Sequence, residues 1–327
     1  MNLSDLGEKG LIERLRAQLN QAGGRGELVV DVGDDTAAFR APGADKLQLF
    51  TVDMMVEGTH FRRQWHWPGK LGWKALAVNI SDIAAMGGRP TFAVVSVGLP
   101  SDIELEFIDR FYTGLLGCAQ KYGVVLVGGD SVRAPQIVID VALLGEVAPE
   151  QLVRRSGAQV GDVIAVTGPL GGAAAGLKLL ESGARGAKGL ASVLLEPMPR
   201  LAEGQALAAS GAVHAMMDLS DGLADDLPRL CQESGVGARL YFEQIPIHPV
   251  CQQFGDPNCA LQGGEDYELL FACAPGQLDI VNSALAGVGA APANVVGEIL
   301  PAEVGIQLVG ADGRIKPLAA GYQHFGA

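Results

Sequence analysis

Apolar positions along the chain alternate between two periods, and the alternation predicts the elements. Leu11, Ile12, Leu15 and Leu19 recur at helical spacing, so residues 8–20 read as an amphipathic helix. Residues 28–32 (LVVDV) and 47–53 (LQLFTVD) read as strands. Residues 71–86 form a strong helical pattern, and Gly87-Gly88 supplies the stop. A strand over 91–99, a helix over 102–122 and strands over 124–130 and 137–147 complete a first half. This half predicts a mixed sheet with helices on one face. The stretch 148–162 shows no period and reads as a junction. Beyond it come a strand (163–168), a helix (171–180), a strand-turn-helix (214–230) and a loop entering a strand (263–273). A helix over 276–287, a short strand over 295–300 and an aromatic tail, GYQHF (321–325), follow. The fold class is α+β or α/β in two domains, residues 1–148 and 149–327.

Composition narrows this picture. A chain of 327 residues with 48% apolar and 19% charged residues has ample core for two domains. The net charge of −13 sets it against nucleic acid and anionic membranes, and no Lys/Arg run compensates. No apolar run reaches the ~18 residues of a membrane span. The first 15 residues carry charges from Asp5 onward, unlike a signal peptide. Five cysteines include no C-x-x-C, which signals neither a disulfide scaffold nor a zinc site. The expected location is the cytoplasm.

The chemistry is carried by aspartates at strand ends and glycine turns. Asp34 and Asp35 follow LVVDVG, Asp53 ends LFTV, Asp130 follows VLVGG, and Asp218 and Asp221 flank a turn in MMDLSDG. Asp82 lies inside a helix, one turn from Asn79. One such Asp alone is ordinary turn chemistry. Six motifs together point to a carboxylate cluster that needs hard cations, and an oxygen-only donor set suits Mg²⁺. Mg²⁺ held this way is shared with substrate phosphates. Gly128-Gly129 and the run TGPLGGAAAGL (167–177) add backbone N–H groups, or a helix N-terminus, that suit a phosphate. There is no G-x-x-x-x-G-K-[ST], no protein-kinase signature and no early G-x-G-x-x-G.

At these residues the chain resembles the thiamine-monophosphate kinases, in the aminoimidazole ribonucleotide synthetase superfamily. The resemblance runs through LGEKGLIERL (6–15), GDDTAAF (33–39), TVDMMVEGTHF (51–61), KALAVNISDIAAMGGRP (74–90) and GGDSVRAP (128–135). It continues through RSGAQVGD (155–162), DLSDGLADDL (218–227), GGEDYELLF (263–271) and GYQHF. It implies transfer of the ATP γ-phosphoryl group to thiamine monophosphate, a homodimer that pairs its N-terminal sheets, and a cleft between domains. The domain 1–148 would bind ATP and Mg²⁺ and form the dimer.

The same resemblance implies residue roles. Asp35, Asp53, Asp82, Asp130 and Asp218 would carry several Mg²⁺ ions, with Thr51 and Asp221 as further ligands. Asp34 is either a ligand or a turn support. Tyr112, Gly129, Asp130, Arg155 and Ser220 would meet ATP, and His60, Glu265 and Tyr322 the thiamine monophosphate. For several of these a plain structural role stands beside the functional one. Ser220 could simply cap the helix near Gly222, Tyr112 could be a half-buried helix aromatic, and Tyr322 a packed terminal aromatic. A monovalent cation is left open. No general base is implied, because a phosphate acceptor is already ionised near pH 7. Two alternatives stand: another ATP-dependent enzyme of the superfamily, such as aminoimidazole ribonucleotide synthetase, and a Mg²⁺-nucleotide binding protein without turnover.

Overall fold

The computed structural model describes residues 3–22, 27–183, 186–254 and 256–319. Helix α1 (Leu3–Ala22) contains the predicted segment, with Gly7 at φ 68° interrupting its first turns. Its apolar stripe does not pack as an amphipathic stripe normally does: Ile12, Leu15 and Leu19 are each at least 40% exposed. The first sheet follows, from β1 (Leu28–Val30), β2 (Ala37–Arg40), β3 (Leu47–Val56), β4 (Arg89–Leu99), β5 (Val125–Arg133) and β6 (Val138–Val147). Their order is β1-β2-β3-β6-β4-β5. Only β4 and β5 run parallel, and α3 (Leu105–Tyr122) makes the crossover between them.

Period 2 along β3 separates two environments. Leu47, Leu49, Thr51 and Met55 are buried under α2 (Pro68–Ala85) and α3, whereas Phe50, Val52 and Met54 are 45%, 56% and 55% exposed. Helices therefore cover one face and the other stays open. The two helices cross at glycines. A Cβ at Gly72 would lie 1.9 Å from the Phe111 carbonyl oxygen, and one at Gly114 would lie 1.7 Å from that of Gly69.

The second unit opens with β7 (Val163–Val166) and α4 (Gly172–Glu181). Then come α5 (Ala187–Leu190), α6 (Ser192–Leu195), α7 (Leu201–Ser210), β8 (Val213–Asp218), α8 (Leu223–Ser234) and β9 (Gly237–Tyr241). It ends with α9 (Pro249–Phe254), α10 (Cys259–Gln262), β10 (Leu269–Cys273), α11 (Leu278–Gly287), β11 (Asn294–Leu300), β12 (Ile306–Val309) and β13 (Ile315–Pro317). The sheet order is β13-β12-β9-β11-β7-β10-β8. Both faces are covered. Leu270 and Ala272 of β10 join α8 in one core, while Leu269, Phe271 and Cys273 join α7 and α11 in another. That two-sided burial explains the unbroken apolar run 269–273. All five cysteines are free and buried. Among the described residues no helix is long and apolar enough to cross a membrane.

Candidate active site

Helix α2 lies between the two units and carries polar groups inside an otherwise apolar helix. Lys74, Asn79 and Ser81 on it are all buried, and Asp82 is next to Ser81. The parity of β3 turns Thr51 and Asp53 toward the helix-covered face, where the Thr51 hydroxyl donates to Asp82 Oδ2 at 2.5 Å. From the second unit β8 ends at Asp218, whose Oδ2 accepts from the Ser81 hydroxyl at 2.6 Å. The turn after β1 brings in Asp35, 7% exposed. One carboxylate oxygen each of Asp35, Asp82 and Asp218 lies within 4.8 Å of the other two. Three elements from two units thus converge on one point.

The charge there is poorly compensated. At an effective dielectric of about 20, two carboxylates this close repel by roughly 3 kcal/mol or more. Arg155 offsets part of it: Nη2 and Nε donate to Asp35 at 2.8 and 3.2 Å, and its backbone N–H meets the Asp34 carboxylate at 3.2 Å. Even so, burial followed by neighbouring carboxylates holds Asp82 and Asp218 well above the ordinary carboxyl range. Burial and then Asp140 push Asp53 up to about 6; burial and then Asp35 push Asp34 up to about 7. An oxygen-only pocket that resists ionisation by itself fits a hard divalent cation.

Asp221 stands beside this centre but pairs with Arg229 at 2.5 Å. Ser220 does not cap α8. The N-cap is Gly222, and Asp226 Oδ2 reaches back to accept from the Asp221 and Gly222 N–H groups at 3.0 and 2.9 Å. Asp130 is exposed on edge strand β5. Its neighbour Gly129 lies level with Asp53 through Val95 and Val141, three strand spacings or about 14 Å away. Gly129 is required by packing, since a Cβ there would sit 1.8 Å from the Val95 carbonyl oxygen. Tyr112 is half-buried on α3, edge-on to Phe111 at 5.3 Å, among Val97, Leu99 and Ile137 around a small apolar cavity. His60 lies in the turn after β3, where its Nδ1 accepts from the Val56 N–H at 3.0 Å. Tyr322 lies outside the described residues.

Glu265 belongs to a loop that sequence reasoning took as a simple entry to a strand. It has φ 67° and Tyr267 has φ 52°, a left-handed backbone that costs non-glycine residues roughly 1–3 kcal/mol each. The loop is fixed from several sides. Backbone N–H groups of Glu265 and Tyr267 donate to the Ser220 and Leu219 carbonyls at 2.7 and 3.0 Å. Glu268 pairs with Arg200 and accepts from Thr167 at 2.6 Å. Asp266 accepts from the Gly171 and Ala173 N–H groups at 2.6 and 3.0 Å. This last pair corrects the phosphate reading of the 167–177 run: the N-terminus of α4 is occupied by the protein's own carboxylate. Glu265 pairs with Lys74, whose Nζ lies 2.7 Å from Oε1. The roles of Lys74, Ser81 and Tyr267 escaped the sequence reading. A lysine among the apolar positions of residues 71–86 was the available signal for the first.

Comparisons with known proteins place the chain in a family. The family model described as AIR synthase related protein, N-terminal domain, matches residues 33–147, and its C-terminal counterpart matches residues 159–308. A thiamine-monophosphate kinase of Synechococcus elongatus is 37% identical over 99% of this chain and 98% of its own. One from Escherichia coli strain K12 is 34% identical over 98% of each. Among solved structures, one described as AaThiL complexed with AMPPCP and TMP superposes with a TM-score of 0.86 at 33% identity, covering 99% of both chains. By its sequence over nearly its whole length, and by its fold, the chain belongs to the thiamine-monophosphate kinase family.

Proposed function

We propose that this protein transfers the γ-phosphoryl group of ATP to the phosphate of thiamine monophosphate, giving thiamine diphosphate and ADP. The observation that carries the reading is the convergence of Asp35, Asp82 and Asp218 from both units on one buried point. The complex of a relative with AMPPCP and TMP supports the two substrates. Mg²⁺ suits the donor set, with Asp35, Asp82 and Asp218 holding it and Thr51, Asp53, Asp130 and Asp221 as further ligands. Bound there, it neutralises phosphate charge while two anionic substrates are brought together.

The chain's own groups then position the reactants. Arg155, planar, permanently charged and paired with Asp35, would meet an ATP phosphate there. His60, Glu265 and Tyr322 serve the acceptor. The acceptor phosphate is ionised near neutral pH, so no general base is needed. Transfer is direct and in line, without a phosphoenzyme. Asp82→Asn and Asp218→Asn should each lower kcat by roughly 100-fold or more, the worth of several kcal/mol of charge stabilisation. Near wild-type rates at saturating Mg²⁺ would rule out the metal cluster.

A second copy completes the reading. The open face of the first sheet carries Phe50, Val52, Met54, Phe92 and Val94, all at least 39% exposed, and edge strand β5 is exposed almost throughout. Asp130 and Gly129 sit on that edge, far from Asp53 of the same chain, so they reach an acidic centre only from the partner. Met54→Glu on this face should convert a dimer to a monomer by light scattering. An unchanged mass would remove the open face from the interface. The division at residues 148/149 and a cytoplasmic location, consistent with five free thiols, belong to the same proposal.

A further inference from the structure

Lys74 is 1% exposed, and lysine is among the residues least often buried. Its ammonium lies 2.7 Å from Glu265 Oε1 and has no well-aligned hydrogen-bond acceptor among the described residues. A buried ion pair of this kind contributes little net stability, because desolvation offsets the attraction. Apolar residues of similar volume commonly do as well. The pair therefore calls for an explanation other than stability, and its position offers one. Asp266 and Glu268 are anchored by groups of their own unit. Glu265 alone among the three carboxylates is held by the other unit, through α2, the helix that also carries Ser81 and Asp82. Its side chain is 29% exposed, and Oε2 accepts no hydrogen bond from the described residues.

We propose that Lys74 is a positioning residue for the phosphate acceptor: it grips Glu265 by one carboxylate oxygen and leaves the other directed to a cationic or N–H-donating ring of the acceptor. This rests on the reading above, in which Glu265 lies on the acceptor side. The pair is close to neutral as a unit. Recognition then depends on where Oε2 is held and not on a free negative charge. An ammonium on α2 also ties acceptor recognition to the helix that carries Asp82, so the acceptor site and the acidic centre share one rigid support.

The test compares wild type with Lys74→Met, Lys74→Arg and Glu265→Gln, using thiamine monophosphate and MgATP. Lys74→Met is expected to raise KM for the acceptor about tenfold. KM for ATP should stay within about twofold, and Lys74→Arg should recover most of the loss. Glu265→Gln keeps a carbonyl oxygen for the buried Lys74 ammonium but removes its counter-charge, so its melting temperature is recorded with its kinetics; it should reproduce the acceptor defect. Lys74→Met combined with it should add little. Amide exchange gives a readout free of activity: Lys74→Met should speed exchange in residues 263–268 while the melting temperature holds. Wild type that leaves thiamine monophosphate unconverted sinks the functional reading. An active wild type whose Lys74→Met variant keeps its acceptor KM, or raises both KM values alike, sinks this proposal alone. Unchanged exchange in residues 263–268 also overturns it.

Discussion

Asp218 is buried and Asp82 half-buried, each beside other carboxylates and held where charge is least comfortable. Such residues serve a ligand at the expense of the empty fold. Asp218→Asn should therefore raise the melting temperature of the metal-free protein by a few degrees, a net gain of about 1 kcal/mol once the weakened Ser81 hydrogen bond is set against the relieved repulsion, while it lowers kcat as above. A lower melting temperature would mean that the Ser81–Asp218 hydrogen bond outweighs the repulsion. The sequence made the aspartates visible because they recur after strands and glycine turns. It hid their partners. Ser81 and Lys74 look like ordinary helix residues until α2 is placed against the second unit. Arg229 looks like a surface cation until α8 folds it back onto Asp221.

Elements show the same division between local and nonlocal information. Periodicity sufficed for α2, α3, β4 and β6, whose patterns are long. It missed β2, β9, β12 and β13, and the α5–α6 and α7 helices, where short runs or uniformly apolar ones carry no clear period. The N-terminus of α4 had the right signal and the wrong occupant, since only tertiary folding brings Asp266 to it. The crossing of α2 and α3 gives a test at this scale. Gly114 faces the Gly69 carbonyl with no room for a methyl group, so Gly114→Ala should cost about 1–3 kcal/mol in denaturant unfolding. An unperturbed stability would show that the helices separate easily.

Across the whole molecule acidic residues outnumber basic ones, 37 to 24, and three of the carboxylates, Asp35, Asp82 and Asp218, meet between the two units. Asp34 is pushed up to about 7 and Asp53 to about 6, in each case first by burial. A carboxyl whose folded pKa is raised binds its proton more tightly folded than unfolded. Its contribution to stability is full below the ordinary carboxyl value and is lost as pH rises through about 6 to 7. Metal-free protein should accordingly melt higher near pH 5 than near pH 8, and Mg²⁺ should flatten that slope by stabilising the ionised carboxylates. A metal-free melting temperature that rises toward pH 8 would contradict the picture of a strained acidic centre. The central claim is tested most directly by product analysis with ATP, Mg²⁺ and thiamine monophosphate, run beside free thiamine as acceptor. The account predicts thiamine diphosphate from the monophosphate and nothing from free thiamine. No thiamine diphosphate from protein that still binds ATP would contradict it, and would point to another acceptor for the same acidic centre.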